Sequence, residues 1–189
     1  MGDRIRAFIA IPLPREVIDQ ARKLQDQLRE EGLRMRWTRP EAMHLTLKFL
    51  GDIDRARSAE IEKALAAVGG PGGPLALAAK GLGVFPTVKK ARVLWMGIAG
   101  KTHLLLAIHS RLEGQLAALG FQPEKRRFNA HLTLARAREP LDPRRLVSCI
   151  ESIGGFKAVP FEARQIVLYQ SELKPEGAVY TALASGDLS

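Results

Sequence analysis

Apolar residues recur with two different periods along this chain, and the period separates predicted strands from predicted helices. A buried strand is predicted over Arg6–Ile11, and apolar residues at helical spacing then predict a helix from Pro14 to about Glu31, ended by Gly32. Further helices are predicted at 58–68, 101–119 and 142–153, and further strands at 33–38, 43–50, 75–82, 91–98, 129–136, near 161, 166–169 and 179–183. Many strands with helices between them predict an α+β fold.

The strongest interruption of this pattern is a run of glycine and proline at 69–74, which we interpret as a loop and not as a linker between domains. Helix, strand and a similar polar strand follow one another in the same order on both sides of it. We therefore expect one domain over residues 1–189, with a duplicated core and two similar lobes.

The similar strands carry the same tetrapeptide, His-Leu-Thr-Leu, at His44–Leu47 and at His131–Leu134. In an extended strand the histidine and the threonine point to one face and both leucines point to the other. Each copy thus presents an imidazole beside a hydroxyl. Two such pairs suit acid and base catalysis on a phosphate, so we expect a two-fold site with His44 and His131 as catalytic residues.

The alternation extends beyond each motif, with different results. In the first copy it places Lys48 on the face of His44 and Thr46 and sends Phe49 to the core. In the second copy Arg136 falls on the leucine face, and it would need a bulge or the end of the strand to reach the site of His131.

Charge favours an anionic partner. Lysine and arginine number 29 against 20 acidic residues, a formal net charge of +9, which favours encounter with nucleic acid. The single cysteine, Cys149, excludes an internal disulfide and fits a reducing cytoplasm. The apolar stretch Ala7–Leu13 is too short to span a membrane, so we expect a cytoplasmic protein without a membrane partner, and a monomer.

A metal site is the alternative use of two histidines. No second cysteine, carboxylate cluster or His-x-x-x-His pair accompanies them in the sequence, so we expect neither a metal nor a cofactor. The other two histidines, His103 and His109, lie within a predicted helix, and we expect ordinary surface or half-buried positions for them.

The motifs make the chain resemble the two-histidine (2H) phosphoesterases, and the residues around them resemble more specifically the RNA 2′,3′-cyclic phosphodiesterases once called 2′-5′ RNA ligases. The resemblance covers nearly the whole chain. It rests on the segments Arg6–Ile11, Arg36-Trp37, His44–Gly51, Gly83–Pro86, Arg92–Trp95, Phe128–Arg136, Tyr169–Leu173 and Gly177–Tyr180.

This resemblance implies a bilobed, pseudo-two-fold fold, with antiparallel sheets lining a central basic cleft and helices outside. It also implies metal-independent opening of a 2′,3′-cyclic phosphate on RNA ends, tRNA fragments among them, or on nucleotides, to a 2′-phosphate. His131 would be the base and His44 the acid, with the roles exchanged in a reverse 2′-5′ ligation. Thr46 and Thr133 would donate hydroxyls to the phosphate.

Other residues have two interpretations each. Lys48 or Arg136 could add positive charge at the phosphate. Phe8 and Trp95 could stack on the terminal base or could pack in the core. At the level of function, a noncatalytic RNA-binding module or a phosphodiesterase for another cyclic phosphate, such as an ADP-ribose derivative, remains open.

Overall fold

Antiparallel strands and four helices alternate in the computed structural model, which describes residues 3–69, 73–175 and 177–188. Part of the glycine and proline run, residues 70–72, lies outside the described residues. The elements are β1 (Arg4–Ile11), α1 (Arg15–Glu30), β2 (Arg36–Trp37), β3 (Leu45–Asp54), α2 (Ser58–Ala66), β4 (Leu75–Phe85), β5 (Val93–Gly100), α3 (Thr102–Ala118), β6 (His131–Arg136), α4 (Pro143–Ile153), β7 (Val159–Ala163), β8 (Gln165–Lys174) and β9 (Gly177–Asp187).

The strands form two sheets, and each sheet contains one motif strand. The first has the order β3-β1-β8-β9 and the second β2-β6-β5-β4-β7, with antiparallel pairing throughout. The motif strands β3 and β6 approach each other although they belong to different sheets. The predicted α+β architecture with two similar halves is confirmed, and its two motifs meet where the sheets meet.

The sheets do not correspond to successive halves of the chain. The last two strands, β8 and β9, return to the first sheet, whereas β2 crosses to the second. Two helices also pack against elements from the other half of the chain. Helix α1 follows β1 of the first sheet but packs against β7 of the second sheet and against α4, and α2 packs against β8 and β9. This exchange ties the two halves together through shared apolar surfaces.

The helix α1 shows how the apolar pattern builds the core. Val17, Ala21, Leu24 and Leu28 are all fully buried, as their helical spacing predicts. Burying each of the two leucines contributes about 2 kcal/mol. The stripe also contains a polar residue, Gln25, which is only 2% exposed. The predicted stop is confirmed, since Gly32 follows the helix with a φ of 74°.

Both motif strands carry a bulge at the same place. In β3 the register passes from Thr46 to Lys48 opposite two adjacent residues of β1, and in β6 it passes from Thr133 to Ala135 opposite two adjacent residues of β5. The second leucine of each motif is therefore the extra residue, and beyond it the alternation of faces is reversed.

The strand β3 also runs further than its sequence predicts. The predicted strand covers residues 43–50, but β3 continues to Asp54 through a second register shift opposite Ala7 and Phe8. Gly51 has a φ of 73°, a value that glycine adopts without steric cost. Leu50 is the extra residue of this shift, and Gly51, which lies just past the predicted strand, pairs with Ala7 inside β3.

Candidate active site

A cavity of about 690 Å³ opens where the two sheets meet. Its lining includes His44 and Thr46 from the first motif and Thr133 and Arg136 from the second. His131 lies two residues before Thr133 in β6 and on the same face of the strand. The two copies of the motif, which are far apart in the sequence, thus face one cleft, which comprises the cavity and the adjoining face of β6.

His44 is held by aromatic rings directly before β3 begins. Phe8 stacks on it with ring centroids 4.6 Å apart, and Tyr180 meets it edge-on at 5.2 Å. Burial lowers the pKa of His44 to about 4, and a hydrogen bond to the backbone of Ala42 opposes this only in part. His44 is therefore a neutral imidazole at neutral pH in the free protein.

His131 has a matching environment in the second sheet. Its Nδ1 lies 2.7 Å from the carbonyl oxygen of Asn129, and Phe85 meets the ring edge-on at 4.9 Å. Burial lowers the pKa of His131, the hydrogen bond to Asn129 opposes the shift, and the Arg136 guanidinium lowers the pKa further.

The two histidines share one arrangement that matters for proton transfer. Each binds the backbone of the residue two positions before it, Ala42 for His44 and Asn129 for His131. A ring nitrogen that donates to a carbonyl leaves the other nitrogen of a neutral imidazole as a proton acceptor. As a neutral imidazole, each ring can therefore act as a base, and once protonated it can act as an acid.

The bulges decide which residues beyond the motifs reach the cleft. In β6 the bulge buries both Leu134 and Ala135 and turns Arg136 outward, so that Arg136 lines the cavity. In β3 the equivalent bulge buries Leu47 and Lys48 and turns out Phe49, which is 65% exposed and also lines the cavity. The bulge that Arg136 was expected to need is present.

Lys48 is not a residue of the cleft, and the prediction that it shares the face of His44 and Thr46 was wrong. Its Nζ lies 2.7 and 2.8 Å from the two carboxylate oxygens of Glu113 and 2.9 Å from the carbonyl oxygen of Gln122. The bulge is the physical reason, because it reverses the alternation between Thr46 and Lys48. The same reversal overturns the prediction that Phe49 faces the core.

The predicted stacking residues occupy different positions. Phe8 borders the cavity but is 3% exposed and packs against His44, Tyr169 and Tyr180, so of its two interpretations the structure supports packing and not stacking on a base. Trp95 lies beside His131, with ring centroids 6.3 Å apart, and its ring covers Gly83, where a Cβ would meet it at 2.3 Å. Stacking of Trp95 on a base stays a prediction.

Positive charge in the cleft comes from arginines that the motif reasoning missed. Arg6, Arg36 and Arg39 line the cavity together with Arg136, and none of the described lining residues is acidic. Arg39 donates from Nη2 to the carbonyl of Ala178 at 2.8 Å. Arg36 was missed because its position opposite Arg136 depends on the pairing of β2 with β6, which the local sequence pattern does not show.

Two further observations concern metals and membranes. Among residues 3–69, 73–175 and 177–188, no group of three or more histidine, cysteine, aspartate or glutamate side chains is placed to hold a metal ion. In the same part of the chain, none of the helices has the length and apolar character needed to cross a bilayer.

Two antiparallel sheets that each bring a His-Leu-Thr-Leu strand to a shared basic cleft define a phosphoesterase of the two-histidine type. The model of the LigT-like phosphoesterases matches residues 11–95 and 99–180. The chain belongs to this family, and the match spans both motifs.

Relatives and solved structures agree with this assignment. The RNA 2′,3′-cyclic phosphodiesterase of Aeropyrum pernix is 32% identical over 167 residues, which cover 88% of this chain and 94% of the relative. The phosphodiesterase of the same name from Methanothermobacter thermautotrophicus is 29% identical, with 94% and 96% covered. TT0787 of Thermus thermophilus has a TM-score of 0.75 at 26% identity, with 97% and 98% covered. Apo LigT of E. coli shares the fold, with a TM-score of 0.74, 21% identity and 97% of both chains covered.

Proposed function

We propose that this phosphoesterase hydrolyses 2′,3′-cyclic phosphates at RNA ends or on nucleotides to 2′-phosphomonoesters, with a histidine pair as acid and base. The observation that carries the proposal is the convergence of both motifs on one cleft lined by arginines and by no described acidic residue. The names of the relatives, RNA 2′,3′-cyclic phosphodiesterase, support the substrate class.

In the proposed reaction, water attacks the phosphorus and the free ring nitrogen of His131 accepts its proton. The bond from phosphorus to the 3′ oxygen breaks, and His44 donates a proton to that oxygen, which leaves a 3′-hydroxyl and a 2′-phosphate. Proton transfers of this kind contribute roughly a hundredfold to ten-thousandfold each. A second RNA whose 5′-hydroxyl attacks in place of water would give the 2′-5′ ligation with the roles of the two histidines unchanged. The exchange of roles that the resemblance suggested applies only to the reverse reaction, the cleavage of a 2′-5′ linkage.

The threonines and arginines of the cleft have separate tasks in this proposal. Thr46 and Thr133 line the cavity two residues after their histidines, where their hydroxyls can donate to nonbridging oxygens of the phosphate. Arg136 supplies positive charge beside His131. Arg36 and Arg39 extend the positive surface for the RNA backbone.

Substrate binding adjusts the protonation of the two histidines. In the free protein, burial keeps the pKa of His44 near 4, so little of it is protonated at neutral pH. A bound phosphodiester anion favours the charged imidazolium and raises the pKa of both rings. The substrate itself therefore assembles the protonated acid, and an imidazolium of low intrinsic pKa transfers its proton readily to the leaving oxygen.

A substrate panel tests the proposal. The protein is incubated in excess EDTA with a short RNA ending in a 2′,3′-cyclic phosphate, with 2′,3′-cyclic AMP, and with a cyclic phosphate of ADP-ribose, and ³¹P NMR identifies the product. We expect RNA and nucleotide turnover to a 2′-phosphate. Turnover only of the ADP-ribose compound, or a 3′-phosphate product, would contradict the proposed substrate class or regiochemistry.

A further inference from the structure

A buried amide lies behind the second motif strand. Gln25 of α1 is 2% exposed, and its Nε2 donates to the carbonyls of Thr38 and Leu134, both at 2.8 Å. The Leu134 carbonyl also accepts from the Thr38 N–H at 2.9 Å. Because Leu134 is the extra residue of the bulge, one side chain from a distant helix holds the bulge against the end of β2.

The position of the amide has a direct consequence for the cleft. Without the bulge, the strict alternation of β6 would send Ala135 to the cleft and Arg136 to the opposite face. A buried amide needs partners, and an apolar side chain would fill the same site without that requirement. The polar residue at this position is therefore explained by the strand geometry that it stabilises.

The first motif strand has an equivalent support. His109 of α3 hydrogen-bonds the backbone of Leu47, the extra residue of the bulge in β3. The His109 ring is 12% exposed and stacks on Phe128 with centroids 4.1 Å apart. Helix α1 follows β1, which pairs with β3, and helix α3 follows β5, which pairs with β6. Each of these helices therefore supports the bulge in the sheet opposite to the strand that it follows.

We propose that Gln25 and His109 are positioning residues of the active site: each holds the bulge of one motif strand, so that Arg136 and Phe49 face the cleft. Phe49 and Arg136, which the bulges turn toward the cleft, each lie five positions after the histidine of their motif. The geometry assigns no chemical step to Gln25 or His109. Their effect on catalysis passes through the residue that the bulge turns outward.

A double-mutant cycle separates this role from general stability. Gln25→Met has nearly the same length and no donor, and Gln27→Met, on the exposed face of α1, is its control. The assay, which rests on the proposed function, is hydrolysis of an RNA 2′,3′-cyclic phosphate. We expect Gln25→Met to lower kcat/KM about tenfold in the wild-type background and less than about twofold in an Arg136→Ala background. An equal loss in both backgrounds, or no loss, would overturn the proposal.

The same design applies to the first motif. His109→Leu is compared with His103→Leu, which changes an exposed histidine of the same helix, and each is combined with Phe49→Ala. We expect His109→Leu to lower kcat/KM when Phe49 is present and to have no further effect on kcat/KM in the Phe49→Ala background. Persistence of the full loss in the Phe49→Ala background would contradict the role of His109.

A crystal structure of the Gln25→Met variant provides a readout that does not depend on activity. We expect the register of β6 at Leu134 to change and Arg136 to leave the cleft, and an unchanged Arg136 would overturn the proposal. If Gln25→Met does not fold, Gln25→Asn serves instead, since its shorter amide cannot reach both carbonyls. Should wild-type protein fail to hydrolyse the RNA, the proposed function fails, and the structure still tests the positioning role.

Discussion

Phe8 and His44 are stacked, with ring centroids 4.6 Å apart and an interplanar angle of 29°. Phe8 belongs to β1 and His44 precedes β3, so the pairing of these two strands brings the rings together. The contact removes water from one face of the imidazole. The burial to which it contributes is the main cause of the lowered pKa of His44.

Removing the aromatic ring of Phe8 should raise the pKa of His44. In Phe8→Leu the imidazole regains access to water, and we expect its pKa to rise from about 4 by roughly one unit toward the ordinary value. A ¹H NMR titration of the His44 ring measures the change. Phe161→Leu, in the buried part of β7, is the control, and an unchanged pKa in Phe8→Leu would refute the assigned cause.

The same shift predicts how stability depends on pH. The pKa of His44 is lower in the folded state, about 4, than in the unfolded state, about 6.5, so the unfolded state binds more protons between these values. The free energy of unfolding should therefore fall as pH falls from 7 to 4, by up to about 3 kcal/mol from this residue.

Urea unfolding at several pH values measures this slope. His44→Leu lacks the titrating ring, and its free energy of unfolding should decline less steeply over the same range than that of the wild type. Parallel curves for the two proteins would show that His44 does not titrate with a lowered pKa.

The pH dependence of the rate should differ between the free enzyme and the complex. Burial lowers the pKa values of His44 and His131. Both limbs of the kcat/KM profile should therefore lie at lower pH than the limbs that ordinary imidazoles would give. We expect a bound phosphate anion to raise both pKa values in the complex, which would move the bell of kcat to higher pH. Profiles that are flat from pH 5 to 9 would contradict paired acid and base roles.

Replacing Lys48 should mainly lower the stability of the protein, whereas replacing Arg136 should mainly lower its activity. Lys48→Met leaves Glu113 buried without its cation, since the two side chains are only 5% and 15% exposed, and should cost roughly 3–5 kcal/mol of stability. Arg136→Ala removes an exposed side chain of the cleft and should lower kcat/KM with little loss of stability. Chemical denaturation and kinetics on folded protein at low temperature distinguish the two, and a Lys48→Met variant that is stable but inactive would contradict the assignment.

Local periodicity predicted most of the elements and the duplicated motif, because these depend on residues close together in the sequence. The burial of Val17 and Leu24 and the end of α1 at Gly32 are examples. Strand alternation also placed His44 and Thr46 correctly on one face.

The rest depends on pairing between distant strands. Whether Lys48 or Phe49 faces the cleft is decided by an extra residue opposite β1, and no feature of the local pattern marks it. Gln25 was invisible as a supporting residue for the same reason, because its partner, the Leu134 carbonyl, is 109 residues away in the chain.

The central claim is that His44 and His131 act as acid and base on a cyclic phosphate, and two alanine variants test it most directly. Hydrolysis of an RNA ending in a 2′,3′-cyclic phosphate is measured in excess EDTA for wild type, His44→Ala and His131→Ala, with RNA affinity measured in parallel. We predict that each variant loses roughly a hundredfold to ten-thousandfold in rate while its affinity for the RNA changes little. Variants that keep the wild-type rate, or a folded wild type that binds the RNA without cleaving its cyclic phosphate, would contradict the claim and favour a binding module.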